Sequence, residues 1–141
     1  MTVRIYQDDS RNDPRTEDYH QMDVASWIDY NYPDVYWFHP VNENAGKAFI
    51  QYFTKQKRKG LKKGVVDIII HARGVNGEPY GVIELKRCKK FRPSTVSPEQ
   101  WECLRSADEQ GAFAAVAYGF QQCKIALADF LGDPSPIPRK R

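Results

Sequence analysis

Three charged residues lie in segments that otherwise have the composition of buried β-strands. Asp67 stands between two valines and three isoleucines, and Glu84 and Lys86 alternate with apolar residues in GVIELK. Strand interiors disfavour such residues, and burying an unpaired charge is costly. Two carboxylates within reach of each other can share a small hard cation. We interpret the three residues as a divalent-metal site with an ammonium group beside it. The alternative is a cross-strand pair of Asp67 with Lys86, with Glu84 exposed to solvent.

A β-hairpin would bring these charges together. Asn76-Gly77, between the two segments, is a strong signal for a two-residue turn. With that turn, Asp67 lies opposite Lys86, and Ile69 lies opposite Glu84. Opposed residues of an antiparallel pair point to the same face of the sheet, so the three charges share a face in this register. A longer loop would preserve this arrangement if it contained an even number of residues. The opposite, apolar face would be lined by Val66, Ile68, Ile70, Ile83 and Leu85.

Basic runs flank the hairpin on both sides in the sequence. The run 55–63 contains six basic residues and no acid, and the run 87–92 contains four more. The net charge is only +3, so affinity for a polyanion must come from such clusters. A solvated surface is the alternative interpretation. The candidate phosphate-contacting residues are Lys55, Lys57, Arg58, Lys59, Lys62, Lys63, Arg87, Lys89 and Lys90.

The remaining patterns predict the elements that position the hairpin. Helices are expected at 14–30, 45–59, 97–110 and 121–131, and further strands at 35–39 and 113–119. Helices and strands in this order indicate an α/β fold, with a mixed sheet flanked by helices. We expect a flexible segment at 1–13, one domain at 14–131 and a disordered basic tail at 132–141.

Composition excludes several classes of protein. The 141 residues suit one domain, and no apolar run approaches the roughly 20 residues of a membrane helix. The polar N-terminal residues lead us to expect no signal peptide. The three cysteines are far apart, which argues against a zinc site or a disulfide framework. We therefore expect a cytoplasmic protein without a membrane partner.

An ordered set of motifs resembles the virus-type replication-repair nuclease (VRR-NUC) family of the PD-(D/E)XK nuclease superfamily. The motifs are Glu17 in the first helix, HPVNE at 39–43, KKGVVD at 62–67, YGVIELKR at 80–87 and SPEQW at 97–101. The similarity spans residues 16–120. Val66 stands where these families usually have proline. The resemblance implies a restriction-endonuclease-like PD-(D/E)XK core with a four-stranded mixed sheet.

The resemblance also implies roles for the charged residues of the hairpin. Asp67 and Glu84 would bind Mg²⁺ or Mn²⁺ together with the backbone carbonyl of Leu85. Lys86 would orient or deprotonate the attacking water and stabilise developing charge. These roles belong to the hydrolysis of phosphodiester bonds.

Two more residues receive roles from the resemblance, and each has a simpler interpretation. Glu17 would support a second ion or a water of the metal; the alternative is that it only complements the dipole of its helix. Gln100 would approach the metal site; the alternative is that it only completes a capping box with Ser97. His39 and His71 are interpreted as structural residues.

The function implied is that of a metal-dependent, structure-selective DNA endonuclease acting on branched DNA such as Holliday junctions or flaps. Its setting would be replication, repair or recombination of a phage or prophage, in the cytoplasm of a bacterial or phage-infected cell. Symmetric cutting of a four-way junction predicts a homodimer. The alternatives are a catalytically inactive DNA-binding module, or an exonuclease or nuclease subunit of a restriction or repair assembly.

Overall fold

A computed structural model describes residues 2–40 and 49–134, and the side chains of all of these except residues 49–53. The elements in chain order are β1 (Arg4–Tyr6), α1 (Glu17–Asn31), β2 (Tyr36–Phe38), α2 (Phe49–Arg58), β3 (Ile68–His71), β4 (Gly81–Lys86), a 3₁₀ turn (Lys89–Phe91), α3 (Pro98–Glu109), β5 (Phe113–Tyr118) and α4 (Phe120–Leu131). Residues 45–48 of the expected second helix, 41–43 of the HPVNE motif and 135–141 of the expected tail lie outside the described residues.

Within the described ranges, five strands form one mixed sheet in the order β1-β5-β4-β3-β2. Both β1 and β4 run parallel to β5, whereas β3 is antiparallel to β4 and to β2. The mixed α/β architecture agrees with the sequence analysis, but the expected count of four strands is wrong. The fifth strand, β1, comes from the segment 1–13, for which we expected no element. Its three residues are too few to show a period.

Helices cover both faces of the sheet. On the α1/α4 face, α1 and α4 pack on one apolar cluster, and on the α3 face, α3 packs on a second. Because both sides are covered, every residue of β4 is buried, including Glu84 and Lys86. No helix in the described part of the chain has the length and apolarity to cross a membrane.

The hairpin turn lies one residue earlier than expected. Gly77 N–H donates to the carbonyl of Gly74 at 3.0 Å, so Val75 and Asn76 are at the centre of the turn, and Gly77 follows with φ of +91°. The pairs are Ile68 with Ile83 and Ile69 with Val82, so the expected pairing of Ile69 with Glu84, and with it that of Asp67 with Lys86, is wrong.

The corrected register differs from the expected one by two residues, an even number, and it therefore keeps the alternation of faces. Ile68, Ile70, Ile83 and Leu85 lie on the α1/α4 face as expected. Val66 does not: it precedes β3 and packs in the cluster on the α3 face, because strand alternation does not extend to it.

A buried histidine joins α1 to the start of α4. The backbone N–H of Phe120 donates to His20 Nδ1 at 3.0 Å, and His20 Nε2 lies 3.9 Å from Cys88 Sγ. Between β5 and α4, Gly119 has φ of +91°, and a Cβ there would lie 2.5 Å from Cys88 Sγ. Only glycine fits this junction without strain. We call His20, Cys88, Gly119 and Phe120 the His20 cluster.

Candidate active site

Asp67 immediately precedes β3 and is held by two hydrogen bonds, one to β4 and one to the residue that follows β2. Its Oδ2 accepts the backbone N–H of Leu85 at 2.9 Å, and its carbonyl oxygen lies 2.6 Å from His39 Nδ1, just after β2. The carboxylate thus accepts a backbone N–H of β4, as a main-chain carbonyl of a neighbouring strand would do. A carboxylate has about four lone-pair sites, so this bond leaves capacity for a cation.

Glu84 and Lys86 are two residues apart on β4 and point toward the α3 face. Their exposed fractions are 1% and 4%, and Lys86 Nζ lies 3.3 Å from Glu84 Oε2. Lys86 Nζ also donates to the hydroxyl of Ser94 at 3.0 Å. The sequence analysis missed Ser94, which is an exposed loop residue in no recognisable motif.

Gln100 makes both of the contacts that the sequence analysis treated as alternatives. Its side-chain oxygen accepts the N–H of Ser97 at 2.9 Å, and Ser97 Oγ accepts the N–H of Gln100 at 3.1 Å, which completes the capping box of α3. Its amide nitrogen donates to Glu84 Oε2 at 2.8 Å. The cap therefore fixes the side chain whose other end orients Glu84.

Glu17, the first residue of α1, brings a third carboxylate to the same point. One carboxylate oxygen from each of Glu17, Asp67 and Glu84 lies within 4.8 Å of the others. Glu17 also lies in the first turn of its helix, where a negative charge is favourable, so the two interpretations of this residue are compatible. We call these three residues the carboxylate cluster.

Burial disfavours negative charge in the carboxylate cluster. It raises the pKa of Glu84 to about 8, with Asp67 as the second cause and Lys86 opposing. Burial also raises the pKa of Asp67, against the opposing N–H of Leu85, and it raises the pKa of Glu17, where Asp67 again adds to the effect. These groups therefore require a proton or a further positive charge.

The cluster has the properties of a site for a hard divalent cation. Glu84 Oε1 is buried and has no hydrogen-bond partner among the described residues. Three carboxylates lie near one ammonium group, so the site carries a net negative charge when all four groups are ionised. Oxygen ligands of this kind suit Mg²⁺, Mn²⁺ or Ca²⁺. The structure shows the N–H of Leu85 bonded to Asp67, and a role for the Leu85 carbonyl stays a prediction.

Asp67 of the carboxylate cluster lines a cleft of about 370 Å³. Gln100, His39 and Lys63 line the same cleft. A larger cavity of about 550 Å³, lined by Arg4, Glu78 and Asp108 among others, contains none of the predicted site residues. Size alone would therefore select a cavity without these residues.

The predicted basic residues fall into two groups. Those at the end of α2 and in the loop after it are exposed, and one of them, Lys63, reaches the cleft. The members of this group are Lys55, Lys57, Arg58, Lys59, Lys62 and Lys63.

Arg87, Lys89 and Lys90 form the second group, and all three contact aromatic rings. Arg87 Nη2 donates to the carbonyl of Pro14 at 2.6 Å, and its guanidinium lies 5.8 Å from the Phe91 ring. Lys89 Nζ lies 4.8 Å from the ring of Tyr118, and Lys90 Nζ 6.0 Å from that of Phe91. Arg87 thus anchors the segment before α1, and its part in binding nucleic acid stays a prediction.

A solved structure described as a VRR_NUC domain protein is similar to this chain over 92% of the chain and 100% of its own length. The TM-score is 0.65 and the sequence identity is 24%. At this identity the likeness shows a shared fold, a mixed sheet flanked by helices, as the order of helices and strands in the sequence indicated. No protein-family model matches the chain, and no curated protein matches its sequence.

Proposed function

We propose that this protein is a metal-dependent nuclease that hydrolyses phosphodiester bonds in branched DNA. The proposal rests on one observation: Glu17, Asp67 and Glu84, from three separate parts of the chain, bring carboxylate oxygens within 4.8 Å of one another beside the ammonium group of Lys86. The shared fold of the solved VRR_NUC domain protein supports the nuclease class. Asp67, Glu84 and Lys86 also match the triad of the PD-(D/E)XK core that the resemblance implies.

Asp67 and Glu84 would hold Mg²⁺ or Mn²⁺ with the carbonyl of Leu85, and Glu17 would add negative charge on the side of α1. Such a cation supplies Lewis acidity: it makes water easier to deprotonate and offsets the charge of a phosphate. The buried Glu84 oxygen that has no protein partner supports this assignment.

Lys86 would act on the reacting groups directly. Its ammonium can donate a hydrogen bond to the attacking water or to a phosphate oxygen. When the water oxygen bonds to phosphorus, the water gives up one proton to solvent, negative charge develops on the phosphoryl oxygens, and a fixed positive charge stabilises it. The bond from phosphorus to the leaving oxygen then breaks, and the leaving oxygen takes a proton from solvent. Ser94 and Gln100 would keep Lys86 and Glu84 in position.

Branched DNA is the substrate that the surface favours. A domain of this size has little surface for reading a long base sequence, so shape and phosphate contacts would dominate recognition. Lys59, Lys62 and Lys63 would contact phosphates next to the cleft. Symmetric cutting of a four-way junction requires two active sites related by a two-fold axis, so we also propose a homodimer. Light scattering on the purified protein tests this: a monomer at working concentration would contradict it.

Cleavage of synthetic substrates tests the function. Labelled four-way junctions, flaps and linear duplexes are incubated with Mg²⁺, with Mn²⁺ or with a chelator. We expect nicks in the branched substrates with either metal and none with the chelator. The variants Asp67→Asn and Lys86→Met should abolish them, whereas Met22→Ala, an exposed position on α1, should not.

Three outcomes would contradict parts of the proposal. Tight binding of junctions without cutting in either metal would indicate a DNA-binding module. Shortening of linear DNA from its ends, with circular DNA intact, would indicate an exonuclease. Cutting that persists in Asp67→Asn would show that the site lies elsewhere.

A further inference from the structure

Three aromatic rings form an exposed group on the edge strand β2 and its neighbour β3. Tyr36 has an exposed fraction of 66% and Phe38 of 37%, and His71 is also exposed. The Tyr36 and His71 rings are stacked, with centroids 5.5 Å apart and planes 26° apart, and Phe38 meets His71 edge-on at 5.6 Å. We call Tyr36, Phe38 and His71 the aromatic platform.

Strand pairing places the platform on the face of the sheet to which Glu84 and Lys86 point. Tyr36 pairs with His71, and Phe38 pairs with Ile69. His71 and Ile69 alternate along β3 and therefore share a face, and Ile69 packs in the cluster on the α3 face. Four residues at about 3.3 Å each put Asp67, which precedes β3, about 13 Å along the strand direction from His71. That distance corresponds to about four stacking steps of a nucleotide strand at ~3.4 Å per step.

The platform and the site are also joined through the backbone. His39 directly follows Phe38, and its Nδ1 lies 2.6 Å from the carbonyl oxygen of Asp67. His39 and Asp67 line the same cleft as Lys63, which follows the exposed Lys59 and Lys62. A polyanion bound at these lysines would thus enter the cleft beside His39, which directly follows Phe38 of the platform.

We propose that the aromatic platform stacks against unpaired bases of the nucleic-acid substrate beside the cut. This inference rests on the proposed nuclease function. Every base presents a π-face, and stacking on aromatic side chains is tolerant of sequence, whereas the phosphate contacts come from lysines. In an intact duplex the bases are covered by their neighbours, so the platform contributes only where pairing is interrupted. It therefore gives a physical reason for selecting junctions and flaps over linear duplex.

The test measures binding of the full chain in the presence of a chelator, so that no cleavage occurs. The probes are a short single strand, a flap carrying 2-aminopurine at the branch, and a matched linear duplex. In Tyr36→Ala and Phe38→Ala, binding to the single strand and the flap should weaken by at least about fivefold per ring, with duplex affinity unchanged. The 2-aminopurine fluorescence that the wild-type protein quenches should recover. Tyr36→Phe should behave as wild type because it keeps the ring.

The matched control is Tyr30→Ala, which removes a comparably exposed ring at the far end of α1 and should leave binding and quenching unchanged. Equal weakening on single strand, flap and duplex would overturn the inference, and so would unchanged quenching in Tyr36→Ala. A change from dimer to monomer in Tyr36→Ala would overturn it as well, because the platform would then be an interface between copies.

The two proposals can fail separately. Normal stacking without cleavage in any metal would contradict the nuclease function and leave the platform as a binding surface. Metal-dependent cleavage of junctions that is unaffected by Tyr36→Ala and Phe38→Ala, together with unchanged binding, would contradict the platform alone.

Discussion

His20 and Glu84 are both almost fully buried, yet their polar atoms have different surroundings. His20 Nδ1 accepts the N–H of Phe120, so the ring is held neutral in a closed, packed junction. Glu84 Oε2 accepts a hydrogen bond from the Gln100 amide and pairs with the ammonium group of Lys86. Glu84 Oε1, in contrast, has no hydrogen-bond partner among the described residues. Buried polar groups are normally satisfied, so an unsatisfied one calls for an explanation.

Burial shifts the pKa of both groups in the direction that favours the neutral side chain. It lowers the pKa of His20, with Asp13 opposing, and it raises the pKa of Glu84. The neutral histidine suits its junction as it stands. The carboxylate cluster, in contrast, would be completed by an external positive charge. The comparison teaches that burial alone does not mark a candidate site. At Glu84, burial coincides with an unpaired oxygen, a raised pKa and two neighbouring carboxylates.

The largest effect is expected from variants that remove charge from the site but keep its shape. Asp67→Asn and Lys86→Met should lower the cleavage rate on junctions by about 10²- to 10⁴-fold. The thermal midpoint should stay close to that of the wild type, because the Asn side-chain oxygen can still accept the Leu85 N–H. Rate assays paired with thermal melts check this, and a collapse of the fold in both variants would assign the cluster a structural role.

The opposite pattern is expected in the His20 cluster. His20→Ala leaves the Phe120 N–H unpaired and opens a cavity, so the free energy of unfolding should fall by about 3 kcal/mol. Denaturant unfolding measures the loss. The cleavage rate per folded molecule should be unchanged, and Tyr19→Ala, an exposed neighbour, is the control. A lower cleavage rate with an unchanged free energy of unfolding would instead indicate that His20 takes part in the active site, and would contradict the contrast between the two clusters.

Binding of a metal should stabilise the folded protein through the carboxylate cluster. At a concentration of Mg²⁺ or Mn²⁺ about 100-fold above Kd, the gain is about 2.7 kcal/mol. The Glu84→Gln variant should lose this gain in stability on metal binding, and the His20→Gln variant should keep it. Affinity should rise as the pH approaches about 8, because a proton competes for Glu84 below that value. Calorimetric titration at several pH values tests this, and equal metal binding in Glu84→Gln would contradict it.

The His20 cluster should respond to acid. The folded-state pKa of His20 lies below the ordinary value of 6.5, so the unfolded chain binds more protons between the two values. The free energy of unfolding should therefore fall as the pH drops through about 6.5, by at most about 1.4 kcal/mol per pH unit. The difference between wild type and His20→Gln across that range isolates this contribution. A difference that does not vary with pH would show that His20 does not titrate in this way.

The smallest expected effect is at Ser94. Removing its hydroxyl in Ser94→Ala takes one hydrogen bond from Lys86 and should reduce kcat about fivefold, which corresponds to about 1 kcal/mol. KM should stay the same if Ser94 only positions Lys86, and Ser94→Thr should restore the rate. A change in KM alone would indicate a contact with DNA instead.

Local signals in the sequence determined several of the elements that position the candidate site. Ser97, Pro98 and Gln100 predict the start of α3, and the structure has the complete capping box. The common face of Glu84 and Lys86 follows from alternation along β4. Asp67 lies just before β3, and its carboxylate reaches the same site by accepting the N–H of Leu85. Whether these residues bind a metal stays a prediction.

Only the tertiary structure decided how the parts meet. The choice between Val75-Asn76 and Asn76-Gly77 as the turn depends on bonds such as that from Val75 N–H to the carbonyl of Phe130, 55 residues away. Strand β1 exists because it pairs with β5 at the other end of the chain. Glu17 joins the cluster because α1 packs across β4. Each of these outcomes depends on contacts between residues distant in the chain, and a local pattern of residue types contains no information about such contacts.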